Sequence, residues 1–318
     1  MKRSTGSYIS TSVVGESVQA FVPDPLPPAR PALVEERFAD LNHTAELALA
    51  RLSGVAGLAP SVDWLLYSAI RKEALLTSQI EGAQASLTDL FDSEAGVTVR
   101  NADDVEEVTN YLRAFRYVQE QLRSPDGLPI STRLICDGHR LLMDGVRGGS
   151  KQPGEVRRSQ NWIGGSRPGN AVFVPPPPNK IGDLLADMER FIHDEQPSLP
   201  PLVRIALVHA QFETIHPFLD GNGRMGRLLI AALVEHWGLL PEPLMYLSGY
   251  LKAHQLEYYR RLSEIRTEGD WESWIRFFLE GVASAAAEAE RNVVGLASLV
   301  TEDRQRMLAV GKVSTVAV

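Results

Sequence analysis

One stretch constrains this chain more than any other: His216-Pro217-Phe218-Leu219-Asp220-Gly221-Asn222-Gly223-Arg224-Met225-Gly226-Arg227. Apolar residues at helical spacing precede it (Val203, Ala206, Leu207, Ala210) and follow it (Leu228, Leu229, Ala232, Leu233, Trp237). The stretch therefore reads as a loop between two helices, with Gly221 and Gly223 allowing a tight turn. The second helix begins near Gly223 or Arg224. Its N-terminus offers free N–H groups and the positive end of a dipole, which suits an anion. Arg224 and Arg227, one turn apart, add planar donors matched to phosphate oxygens.

The flanking chain is helical in texture. Residues 1–35, with Pro23, Pro25, Pro27, Pro28 and Pro31, read as an extended, partly polyproline-like arm on the surface. A helical pattern runs from about Ala32 to Leu52. Another starts near Ser61 and ends at Thr77-Ser78-Gln79-Ile80-Glu81-Gly82, where Gly82 can close it. Ser86 opens a short helix, Asn101 and Ser131 are helix N-caps, and further helices cover 180–193, 200–214, 251–266 and 271 onward. Two short strands, Ser159 to Ile163 and Ala171 to Val174, flank a hairpin turn from Gly164 to Asn170, the one convincing piece of β structure. The expected fold class is all-α with a small β-hairpin flap.

Composition removes several classes of function. A net charge of −8 over 318 residues argues against a broad nucleic-acid face. No apolar run reaches the length of a membrane span, and Met1-Lys2-Arg3-Ser4 leads into no signal peptide. The sole cysteine, Cys136, rules out an internal disulfide, reads as a buried small residue, and suits a cytoplasmic setting.

The chemistry-bearing residues each have a bland alternative. His216 can take a proton from a hydroxyl beside an anion site, or merely cap the carbonyls of a helix end. Asp220 can hold Mg²⁺ together with bound phosphates, or serve as the Asp of an Asp-Gly turn. Gly221, Asn222 and Gly223 can wrap a phosphate with backbone N–H groups, as nests do. Glu81 lies near a helix C-terminus, against the dipole, and either pairs with an arginine of the anion site or faces solvent.

The loop resembles the signature of the Fic family, His-Pro-Phe-x-Asp/Glu-Gly-Asn-Gly-Arg-x-x-Arg, at every fixed position. Thr77-x-x-x-Glu81-Gly82 resembles that family's inhibitory motif, and Gln160 to Gly164 with Phe173 to Pro176 resembles its target-docking flap. The resemblance covers most of residues 35–290. It implies a Fic-type helical domain and a protein adenylyltransferase that moves AMP from ATP to a Tyr, Thr or Ser hydroxyl of a target protein, with ATP and Mg²⁺ required. Carried over by position, His216 is the general base and Asp220 the metal ligand. The nucleotide-binding set is Glu81, His216, Gly221, Asn222, Gly223, Arg224, Met225, Gly226, Arg227 and Tyr259. Trp162, Ile163, Gly164, Val172 and Phe173 form the flap, and Glu81 with Arg227 forms the inhibitory pair. The implied domains are an arm (1–35), an N-terminal helical region with the inhibitory helix (36–125), a Fic core (126–282) and a helical tail (283–318). The resemblance also implies a homodimer. Removal of AMP, with Glu81 placing a water, stays open as a second activity, as does a regulator that binds nucleotide without catalysis. A kinase-like relative is disfavoured, because such relatives replace the glycines found here at 221 and 223.

Overall fold

Eleven α-helices and one two-stranded ladder make up the regular structure of the computed structural model, which describes residues 3–58, 62–146, 149 and 151–309. The helices are α1 (Ala39–Ala56), α2 (Val62–Ile80), α3 (Leu87–Glu94), α4 (Ala102–Arg123), α5 (Thr132–Leu142), α6 (Pro178–Ile192), α7 (Pro201–Ile215), α8 (Asn222–His236), α9 (Ser248–Ala253), α10 (Gln255–Glu268) and α11 (Trp271–Ala309). The expected helix start at Ser61, and the tail beyond 309, lie outside the described residues.

Helix α7 is the axis. It starts on Pro201, whose missing N–H costs nothing in a first helical turn. From Leu202 onward nearly every residue is buried, so it is apolar all round rather than along one stripe. Helices α1, α6, α8 and α11 pack around it. Trp274 of α11, fully buried, donates its indole N–H to the Ala206 carbonyl at 2.8 Å, which satisfies the one polar atom of the ring. The result is one continuous core in which the loop after α7 can be held still.

The β structure is not where the sequence pattern put it. Residues read as an extended arm form strands β1 (Gly6–Val13) and β2 (Glu16–Pro23), paired antiparallel from Gly6↔Pro23 to Val13↔Glu16. Val14 and Gly15 both have positive φ (50° and 79°), the backbone of a two-residue hairpin turn. A valine there is strained, and no Asn-Gly marks the turn, so the hairpin hides in the sequence. The flap itself, read as two strands, keeps only the single bridge Ile163↔Phe173. Gly164 and Gly165 at φ 68° and 75°, a 3₁₀ turn at Pro168–Asn170, and the prolines from Pro175 onward interrupt any longer ladder.

Other differences are smaller. Helix α1 begins at Ala39, not near Ala32, because a 3₁₀ turn at Glu35–Arg37 precedes it. The helical run expected over 251–266 is broken at His254 between α9 and α10. Asn101 precedes α4, yet its side chain donates to the Gln84 carbonyl rather than capping the helix. Ser131 caps α5 through Leu134 N–H, and Ser86 with Asp89 forms a capping box on α3, as expected. Helix α11 runs unbroken past position 283. Among the described residues no helix is long and apolar enough to cross a membrane.

Candidate active site

The loop between α7 and α8 is built from backbone carbonyls pinned by buried side chains. His216 ends α7 in the left-handed conformation, φ 49°, which turns the chain out of the helix. Arg157 holds that turn: its guanidinium donates to the carbonyls of His216 (2.9 Å), Pro176 (2.6 Å) and Ser159 (3.1 Å), while its own N–H bonds Pro217 O. Burial lowers this guanidinium to about 10, so it stays charged at neutral pH.

Phe218 then drops into the core and stacks on His139, ring centroids 3.7 Å apart. His139 accepts from Gly154 N–H through Nδ1 (2.9 Å), so its proton sits on Nε2 and donates to Asp220 O (2.9 Å). Burial lowers this imidazole to about 4, which keeps it neutral. Replacing Phe218 by alanine removes the anchor. A loss of about 3–5 kcal/mol of unfolding free energy is expected in denaturant titrations. A loss under about 1 kcal/mol would show that Phe218 does not carry the loop.

Gly221 follows at φ 74°, where a Cβ would lie 2.6 Å from Met143 Sδ. Asn222 spends its side chain on the loop: Oδ1 accepts from Phe218 N–H and Nδ2 donates to Phe218 O, both at 2.9 Å. The first N–H of α8 with a backbone partner is that of Met225, bonded to Gly221 O. Those of Asn222, Gly223 and Arg224 have no partner among the described residues and stand open to an anion. Asp220 uses one carboxylate oxygen on Gly221 N–H (2.7 Å) and leaves the other free at the cavity edge. No group of three His, Cys, Asp or Glu side chains that could hold a metal occurs among the described residues, so a cation on Asp220 would take its further ligands from water or phosphate oxygens.

Arg227, 2% exposed, donates to Thr77 Oγ1 (2.6 Å), to Thr77 O (3.1 Å) and to Glu81 Oε1 (2.6 Å). Burial works to raise the Glu81 carboxyl, but the charge and hydrogen bond of Arg227 outweigh it and hold it below the usual carboxylate range. Gly223 makes this approach possible, since a Cβ there would sit 2.3 Å from Glu81 Oε1. Gly82, at φ 98°, and the Glu81 N–H on Ser78 O end α2 so that Glu81 points at the start of α8.

Two cavities adjoin over this loop. One, about 350 Å³, is lined by Tyr258, Tyr259, Leu262, Val172, Phe173 and Arg266 among others. The second, about 460 Å³, is lined by Asp220, Gly221, Asn222, Arg224, Glu107 and Trp162 among others. They share Glu81, Ile163, Gly164, His216 and Gly223. An apolar, aromatic chamber thus meets an N–H-rich, charged one at His216. The His216 ring lines both cavities, with Nδ1 buried. Burial first, then the charge of Arg157, lower His216 to about 4.

Residues 39–120 match the model of the Fic/DOC family N-terminal region, and residues 129–234 match the model of the Fic/DOC family itself. The chain belongs to the Fic/DOC family. It is 30% identical over 208 residues to the protein adenylyltransferase Fic of Drosophila grimshawi and 29% identical to that of Aedes aegypti. Each match takes in 63% of this chain but only 39% and 38% of those longer proteins. In three dimensions it resembles a Fic family protein from Desulfovibrio desulfuricans (TM-score 0.66, 22% identity, 81% of this chain and 75% of that one). It also resembles Fic-1 from C. elegans (TM-score 0.63, 22% identity, 84% and 74%), which supports a shared Fic fold.

Of the residues expected at the Fic site, most line the two cavities; Met225 and Gly226 do not. Met225 is buried beside Gly138 of α5, and Gly226 gives its carbonyl to His209. Arg224, 4% exposed, is paired with buried Glu107 at 3.2 Å. Tyr259 is 44% exposed at the rim, while Tyr258 is buried with its hydroxyl on His209 Nε2. Several neighbours give little sign of themselves in the sequence: Arg157 and His139 behind the loop, Glu107 behind Arg224, and Glu213 and Arg266 in the apolar chamber. Only Glu213 had a signal, its place one turn before His216 on α7. Burial pushes its carboxyl up to about 7.

Proposed function

We propose that this Fic protein is an adenylyltransferase that moves AMP from ATP to a Tyr, Thr or Ser hydroxyl of a target protein, and that Glu81 holds it off. The observation that carries this reading is the meeting of the two cavities at His216, one suited to a nucleoside and the other to phosphates. The relatives in Drosophila and Aedes named protein adenylyltransferase support the same chemistry.

The ATP base and ribose lie against Tyr259 and Leu262, and the phosphates face the open N–H groups of Asn222, Gly223 and Arg224. Mg²⁺, held by Asp220 and phosphate oxygens, would neutralise charge on those phosphates. The target hydroxyl enters under the flap. Its oxygen bonds to the α-phosphorus, the bond from that phosphorus to the bridging oxygen breaks, pyrophosphate leaves, and the proton passes to His216. The chain's N–H groups at the α8 start stabilise the charge that grows on the α-phosphate oxygens.

Intact-mass measurement of the Glu81→Gly protein after incubation with ATP and Mg²⁺ tests this. A gain of AMP supports it. A gain of phosphate points instead to kinase-like chemistry, and no gain sinks both.

The pH profile of the same reaction gives an independent check. A base acts only when unprotonated, and His216 at about 4 is neutral from well below pH 6.5 upward. The Glu81 charge raises His216, so in this variant its acid limb in kcat/KM is expected at about pH 4 or lower rather than 6.5, and Glu213→Gln is expected to leave that limb in place. A limb near 6.5 in both proteins would mean that His216 is not held neutral by burial.

A further inference from the structure

The flap is not a free hairpin; its 171–174 limb is tied to the β1–β2 hairpin by a backbone hydrogen bond and a shared apolar cluster. Phe173 gives both its N–H (3.1 Å) and its C=O (2.8 Å) to Ile163. The next residue, Val174, points the other way, as successive residues of an extended chain do, and its C=O accepts from Phe21 N–H of β2 at 2.9 Å. The limb 171–174 therefore lies between residue 163 and β2. At Val174 its outer edge is taken. Ile163 likewise spends its polar groups on the 172–173 side, so the backbone of Trp162 and Gly164 forms the flap edge left open, and both residues line the cavity that holds His216 and Asp220.

Side chains bind the two halves together. Val13, Val18, Ala20 and Val174 form a buried cluster of their own, with Trp162 and Ala171 packed on it. At the tip, Glu16 pairs with the Arg167 guanidinium and accepts from Gly169 N–H at 3.1 Å. At the base, Arg3 is bidentate on Glu272 of α11 (2.7 Å each), Thr5 Oγ1 donates to Ile265 O (3.0 Å), and Gln211 of α7 donates to Asp24 O (3.0 Å). The hairpin is thus referenced to α7, the helix that ends in His216.

We propose that the N-terminal hairpin is a positioning wall: it closes the outer edge of the flap and holds the Trp162–Gly164 edge at a fixed distance from His216, so that a partner strand adds on that edge alone. The last step rests on the adenylyl-transfer reading; the wall itself does not.

The test uses two surface changes that leave the buried cluster intact. Glu16→Lys reverses the charge facing Arg167. Gly169→Ala, at a position without positive φ, puts a Cβ where Glu16 Oε2 lies 2.2 Å away and pushes the carboxylate off. Hydrogen exchange at the amides of Ile163, Val172 and Phe173 is expected to quicken about two- to fivefold in both, with α8 unchanged as the internal reference. The double variant Glu16→Arg with Arg167→Glu is expected to restore slow exchange. Unchanged exchange in both single variants overturns the wall. In a Glu81→Gly background, transfer of labelled AMP to a His216→Ala copy of the chain is then followed. A several-fold rise in KM for the acceptor with KM for ATP unchanged supports the positioning role, and equal KM for the acceptor overturns it. If that background transfers nothing, the adenylyl reading fails, and the exchange data still decide the wall.

Discussion

Changing His216 to alanine in the Glu81→Gly protein is expected to abolish measurable transfer of labelled AMP, a fall of about 10²–10⁴ if it is the proton acceptor. Its Nδ1 is buried and its ring lines both cavities where they join. The backbone there is left-handed, φ 49°, and alanine resists that conformation. His216→Asn is the control, because asparagine adopts it readily and keeps the loop while losing the base. Loss in both variants with unchanged binding of ATP assigns the effect to proton transfer. A His216→Asn protein that retains more than a tenth of the rate would remove His216 from that role.

Replacing Glu81 by glycine is expected to raise transfer by about 5–150-fold, the range of ordinary coupling between two states. The Glu81 carboxylate sits over the start of α8, where Gly223 leaves room for it and an anion would otherwise lie. It also takes one Nη of Arg227, whose other bonds go to Thr77. Removing Glu81 therefore frees the arginine without leaving it unpartnered, since both Thr77 bonds remain. The pair is asymmetric: the Arg227 side chain is 1% exposed and that of Glu81 is 36% exposed, so the carboxylate is the member that can swing away. Glu81→Gln, which keeps the shape and drops the charge, should fall between wild type and Glu81→Gly. Equal rates in all three proteins would mean that Glu81 is only a structural partner of Arg227.

The same residues show what could be read before any fold was known. The loop at 216–227 was legible because its chemistry is local: a histidine before proline, glycines for a turn, and arginines one helical turn apart inside a helix start. The Glu81–Arg227 pair was legible in part: a glutamate against the C-terminal dipole of its helix calls for a cation such as an arginine of the loop, but only family resemblance singled out Arg227, since nothing in the spacing of residues 81 and 227 brings them together. The apolar periodicity of α7 and α8 set the helices that frame the site.

What the sequence by itself determined is therefore the helical class, the loop suited to an anion and its candidate base, all carried by patterns within a few turns. The tertiary structure decided the rest. Arg157 and His139 hold the loop through backbone carbonyls, and a carbonyl is the same in every residue, so no pattern of side chains announces it. The arm at 6–23 became a wall for the flap because strand pairing joins segments far apart in the chain, and its turn at Val14-Gly15 lacks the residues that usually mark one. Which edge of the flap stays open follows from which way each backbone N–H points, and only the folded chain fixes that direction.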